Sequence, residues 1–301
     1  KILVSFRKAN NYKRLLKFIL ISVVYSGLVT TINLELIHYK PKLDPVFFSL
    51  VGLILSLILV FRLNTSYNKW WEGRQQWGML VNNSRTLSSY LHSIIEVEDK
   101  TTRTYLAAQI TNFCYSLKGH LRSHIDYQDF HETSPDYIAN LKKSVHVPHQ
   151  ISTLLFTKIQ ELYKKQEIND IDRLSIKPQI ENMINILGAC ERIRNTPIPF
   201  SHSSFIKVSL VIYILILPFG LINSFMYLTI PVTALMTFAL VGVEIISEEI
   251  EEPFNVDPND LPLTYLCGII KKNVYNVLKV DLPKNELVND TIEYANYKIH
   301  F

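Results

Sequence analysis

From Val208 to Val243 the chain carries no Asp, Glu, Lys, Arg or His. A helix on a soluble domain needs a polar face to turn outward, and this stretch has none. As a single helix it would reach roughly 54 Å at 1.5 Å per residue, against a bilayer core about 30 Å thick. The stretch must therefore fold back on itself. Pro218, Gly220, Asn223 and Pro231 are turn and helix-boundary residues, so the reading is two spans, about 205–223 and 229–247.

Two further uncharged runs lie earlier, at Phe18–Leu34 and Pro45–Phe61. Each has about the minimum length for crossing a bilayer. Between them stands HYKPKLDP (38–45), a polar connection with two prolines. This predicts a second helical hairpin, with spans about 18–37 and 45–62. Any one such run also suits a core helix of a soluble protein, but four in one chain favour the membrane. The totals agree: 48% of residues are hydrophobic and 19% charged, where a soluble domain has about 25% charged.

Composition also excludes several classes. High hydrophobicity rules out intrinsic disorder. The 9 glycines form no local cluster, so no glycine-rich nucleotide loop is present. Cys114, Cys190 and Cys267 are far apart and read as buried or neutral thiols rather than a disulfide framework or zinc ribbon. A net charge of +4 comes without any Lys/Arg stripe interleaved with aromatics, so no nucleic-acid partner is expected. The first apolar run is too long for a signal peptide and lacks a small-residue cleavage site.

Lys1, Arg7, Lys8, Lys13, Arg14 and Lys17 precede the first span with no acid among them. The connection at 38–45 carries only Lys40 and Lys42 of that sign, and 219–231 carries no charge. The positive-inside rule places the N-terminus in the cytoplasm. Four spans return residues 62–204 and 248–301 to the same side. Those parts read as helical: Leu154, Leu155, Ile159 and Leu162 share one helix face, as do Ile180, Ile184, Leu187 and Cys190. Asp170 is the expected N-cap of the latter helix. A last amphipathic helix, with Tyr265, Ile269, Val274 and Val277, follows Pro262. Strands should be almost absent.

Candidate chemistry is sparse. His120 and His124 stand at i, i+4 with His131 nearby, a spacing that can hold zinc, but no Glu follows His120 as the metalloprotease pattern requires. His146 and His149 form another close pair. Solvated helix faces explain all of them, and no metal or cofactor is expected. No nucleophile elbow or phosphate loop occurs, so the chain is not read as an enzyme. Ionisable residues inside spans mark ion relays; here Glu35 and Glu244 sit at span ends and read as solvated. Glu244, Glu248, Glu249, Glu251, Glu252, Asp257 and Asp260 form an acidic run without the EF-hand pattern.

The densest segment is FRLNTSYNKWWEGRQQWG, residues 61–78. It contains all three tryptophans, Trp70, Trp71 and Trp77, with Arg62, Glu72, Gly73 and Arg74. An interfacial belt accounts for one or two of the rings. The remainder predicts tight helix packing, with glycine admitting close neighbours and arginine held by carboxylates.

With that block, CERIRNTPIPFSHS (190–203) and EIISEEIEEPFNVDPNDLPL (244–263) complete a set of three motifs in which the chain resembles the bestrophin family, in its bacterial branch. The similarity runs from about residue 5 to 280. It implies an all-α membrane protein of one channel domain over 1–301, with four transmembrane helices, a helical cytoplasmic part and four further copies around a central pore. It implies residence in the bacterial inner membrane and passage of monovalent ions: chloride or other anions as in eukaryotic relatives, or sodium and other cations as in some bacterial ones. The family's apolar neck falls on Val46, Leu50 and Ile54. These share one helix face at i, i+4 and i+8, and apolar rings gate by dewetting. The family's cytoplasmic aperture falls on Ile193, flanked by Arg192 and Arg194. The calcium clasp of eukaryotic relatives is incomplete: Glu252 stands for Asn before Pro253 and Phe254, and Pro258-Asn259 interrupts Asp257 and Asp260. No calcium requirement is expected. The competing function is a secondary transporter, which would want broken helices in corresponding halves; only 208–243 has internal prolines.

Overall fold

A computed structural model describes residues 10–38, 44–131, 134–282, 291–294 and 297–300. Its described residues are almost entirely helical, and they divide into two compact units.

The first unit comprises Lys1–Trp70, Pro197–Pro253 and Asp257–Asn259. Helix α1 is Asn10–Ile32, extended by a wider turn over Asn33–Ile37. Helix α2, Pro45–Ile94, begins here and continues into the second unit. Helices α7, Phe200–Phe225, and α8, Thr229–Ile250, complete the unit. Three helical stretches, Tyr12–Ile37, Val46–Ile94 and Asp170–Ile250, are long and apolar enough to cross a membrane; the last contains both α7 and α8.

α1 and α8 run antiparallel, with Gly27 near Ile230 and Leu15 near Gly242. Their contact stripes consist of small hydroxyl residues. Ser22, Ser26 and Thr30 recur every fourth residue on α1, as do Thr229, Thr233 and Thr237 on α8, and all are buried. Ser22 donates to the Ile19 carbonyl at 2.8 Å, Thr233 to Thr229 and Thr237 to Thr233, both at 2.8 Å. The Ser22, Ser26, Thr233 and Thr237 hydroxyls each return to their own helix backbone, so these small residues let the helices close with those polar groups bonded. A separate apolar core joins α2 to α7: Phe48, Leu55 and Leu59 pack with Ile206, Leu210, Tyr213 and Leu217, together with Leu240 of α8.

The chain reverses between the two expected spans, 205–223 and 229–247, and Pro218 and Gly220 lie inside the first of them. α7 runs through both and ends at Phe225, and the reversal comes at Met226, whose φ is 46°. Membrane helices accommodate an internal proline where neighbouring helices re-satisfy the freed carbonyl. Pro231 stands in the first turn of α8, where the missing N–H has no intrahelical partner to lose.

The second unit comprises Trp71–Thr196, Phe254–Val256 and Asp260–Phe301. It holds the rest of α2, then α3 (Lys100–Leu121), α4 (Pro135–Lys143), α5 (Val147–Lys164), α6 (Asp170–Asn195) and α9 (Leu263–Leu278). α3 lies at its centre against α5 and α9, buried through Leu106, Ile110, Phe113, Cys114 and Leu117. The helix starts are capped as local chemistry dictates. Asp99 accepts the Thr102 N–H at 3.0 Å, and the Thr102 side chain together with that N–H draws its carboxyl below the usual range. For α6 the cap is Asn169, not Asp170: Asn169 and Asp172 form a reciprocal capping box, and Asp170 is the first helical residue. α6 buries Ile176, Ile180, Met183, Leu187 and Cys190, the anticipated face with Met183 added and Ile184 at its edge. The last helix exists as expected, but its buried face is Leu266, Cys267, Ile270, Val274 and Leu278; Tyr265, Ile269 and Val277 lie at its margin. Two short strands, Thr291–Tyr294 and Tyr297–His300, pair antiparallel.

Candidate functional site

α2 offers two unlike faces in its first seven turns. One buries Phe48, Leu55 and Leu59 within the unit. The other leaves Val46, Leu50 and Ile54 at 60%, 55% and 56% exposed, with Leu53 and Leu57 beside them. Intrachain packing therefore does not explain the stripe at 46, 50 and 54. An unpartnered apolar face of this kind meets lipid, another copy or a pore.

α2 has no boundary at residue 62, so the whole 61–78 motif is helical. Arg62 is 1% exposed, and its guanidinium donates to Glu251 Oε2 at 2.7 Å, with Glu244 Oε2 at 3.7 Å from its Nε. Glu251 also accepts the Ile198 N–H at 2.9 Å. Glu244 is thus buried rather than solvated: it is 4% exposed. The reason is legible afterwards. An arginine beside a membrane span needs countercharge, and α8 supplies it from its last turns.

The remaining motif residues divide by role. Trp70 donates to the Asn259 carbonyl at 3.0 Å and stacks on Tyr67. Trp71 is exposed, as a belt residue would be. Trp77 is wholly buried, and Gly73 is buried on α2 one turn before it. Arg74 lies over Gly78: a Cβ there would come within 3.4 Å of its guanidinium. Glu72 accepts from Arg192 at 2.7 Å.

That last pair leads to the end of α6. Ile193 is 4% exposed, packed into its own unit, while Arg192 and Arg194 are exposed. Helical spacing explains it: Ile193 continues the 176, 180, 183, 187, 190 face, and its neighbours turn outward. Arg194 donates to the His120 carbonyl at 2.9 Å and to Ser123 Oγ.

The loop after α8 holds the residues compared with a calcium clasp. Pro253, Phe254 and Asp260 are buried, and Glu252 and Asp257 are exposed. The Arg122 guanidinium donates to the Phe254 and Asn255 carbonyls, both at 3.0 Å. A side-chain cation thus occupies two backbone oxygens of this loop.

The histidines pair differently from their sequence spacing. His124 is exposed and apart, while His120 and His146 both point Nε2 at Glu191 Oε1, each at 2.7 Å. Partial burial raises the Glu191 carboxyl, but the two imidazole contacts outweigh it and hold the group below its ordinary value. His131 is buried elsewhere. Desolvation, aided by nearby Lys271, pushes its pKa down to about 4. The three cysteines are free and buried; burial lifts Cys190 and Cys267 to about 12, so their thiols stay protonated.

A model of the bacterial and fungal bestrophin proteins matches residues 1–276. The chain is 33% identical to a voltage-dependent anion channel-forming protein of Nostoc sp. over 266 residues, covering 86% of this chain and 85% of that one. A protein of the same description from Synechocystis sp. is 32% identical, covering 76% of each. The crystal structure of a bacterial bestrophin homologue from Klebsiella pneumoniae superposes with a TM-score of 0.82, covering 89% of this chain and 99% of that one at 24% identity.

Proposed function

The chain belongs to the bacterial and fungal bestrophin family, and on that footing we propose that it forms a homopentameric channel for monovalent ions in the bacterial inner membrane. Four helices, α1, the first part of α2, α7 and α8, cross the bilayer, and both termini lie in the cytoplasm. The observation that carries this reading is the exposed apolar stripe of α2. Val46, Leu50 and Ile54 have no partner surface within their own unit, and five such stripes around an axis form a dewettable neck. The relatives' description as anion channel-forming proteins favours anions over sodium. The cytoplasmic aperture falls at Ile193 in the last turn of α6, with the exposed Arg192 and Arg194 flanking it as charges.

Opening without calcium is part of the same reading. The Arg122 contacts with the Phe254 and Asn255 carbonyls support it, because an ion in that loop would have to displace a bound cation. The test is twofold. Purified protein in detergent should have the mass of five chains by light scattering. In planar bilayers under a NaCl gradient with chelator present, currents should reverse toward the chloride potential. A monomer or dimer, or the absence of current, contradicts the channel; reversal toward sodium contradicts anion preference alone.

A further inference from the structure

We propose that His120, His146 and Glu191 form a binding site for a zinc-class divalent cation, one per chain. Three separate elements of the second unit converge there. His120 stands in the last turn of α3, His146 is the residue capping α5, and Glu191 lies near the end of α6. One ligand atom from each lies within 4.8 Å of the others. Both Nε2 atoms are 2.7 Å from the same Glu191 oxygen, and the two rings stand 4.6 Å apart.

Ligand type and geometry favour zinc over the hard cations. Two imidazoles with one carboxylate suit zinc, copper or nickel, while calcium and magnesium take oxygen donors. Tetrahedral zinc with bonds of about 2.0–2.1 Å spaces its ligand atoms about 3.3 Å apart. The observed 2.7 Å contacts need to open by about half an ångström to admit the ion. The three side chains are 27%, 33% and 28% exposed, so the ion has an entry path and a water can complete the shell.

Tautomers constrain the exchange. Without metal, His146 Nδ1 accepts the His149 N–H at 3.3 Å, and Nε2 carries the proton donated to Glu191. Metal at Nε2 requires that proton to move to Nδ1, so binding gives up a long capping contact for a metal bond. Cys190, beside Glu191, is no competitor, because its thiol is buried and neutral. Arg194, bonded to the His120 carbonyl and Ser123, fixes the end of α3 that carries His120.

The test uses the full chain in detergent, stripped with chelator and titrated with zinc chloride against a chromogenic zinc indicator. Wild type should take up one zinc per chain. His146→Ala and Glu191→Gln should each weaken it by about tenfold or more, and His124→Ala should leave it unchanged. Because a variant can fail to fold, X-ray absorption of the zinc-loaded wild type supplies a second reading, with two imidazole ligands expected. Uptake insensitive to His146→Ala and Glu191→Gln, loss on His124→Ala, or a zinc spectrum without imidazole would overturn the proposal. Channel currents do not enter any of these measurements.

Discussion

Arg62 shows how much one side chain settles. It is buried beside a span with two carboxylates for company, Glu251 at 2.7 Å and Glu244 at 3.7 Å. Removing one partner of a buried pair leaves an uncompensated charge, which costs about 3–5 kcal/mol. Arg62→Ala should therefore lower the melting temperature in detergent far more than Arg14→Ala, whose pair with Glu248 is half exposed; equal losses would contradict the role given to Arg62. Its need for an acid was readable in its position, but which acids answered it was not. Five candidates crowd 244–252, and only the helical phase at the end of α8 selects among them. His131 offers a pH test. Its folded pKa of about 4 lies below the ordinary 6.5, so below 6.5 the unfolded chain binds the extra proton. Stability from this group is complete above pH 6.5 and is lost as pH falls toward 4, by at most about 3 kcal/mol. His131→Asn should flatten that part of the stability profile in thermal melts, and an unchanged acid slope would count against it.

Among the elements, the turn between α7 and α8 was legible close to its place, and α2 was only half so. Proline and glycine at 218 and 220 spell a turn in water, yet α7 is continuous through both. The glycine has another use: a Cβ at Gly220 would fall 2.4 Å from the Phe48 ring. Gly220→Ala should push that ring from its core position and cost about 1–3 kcal/mol, measured as a lower melting temperature that Phe48→Leu partly restores. If the single variant melts like wild type, the close approach is not a constraint. The hairpin of α7 and α8 was visible because charge is absent over the whole run, a signal that survives without knowing contacts. Boundaries were not visible, since α2 carries one helix from apolar to polar surroundings, and composition marks the change of solvent rather than any change of backbone. The faces of α6 and α9 were set by which neighbours they met, so each came out only near its expected phase.

At the scale of the molecule, family membership and fold were open to the sequence, because three motifs keep their order and spacing around the apolar runs. The His120–His146–Glu191 cluster was not, since 71 residues separate His120 from Glu191 and only the packing of α3, α5 and α6 brings them together. The exposed stripe of α2 is proposed to face the axis of an assembly rather than lipid. Single-channel conductance in planar bilayers tests it most directly, comparing wild type, Leu50→Ala and Leu53→Ala. Leu50 lies on the proposed neck, and Leu53 is a neighbour equally exposed, at 58%, but turned by a different helical phase. The account predicts that Leu50→Ala changes conductance or open probability severalfold while Leu53→Ala behaves as wild type. Identical currents in all three proteins, or an effect confined to Leu53→Ala, would contradict it.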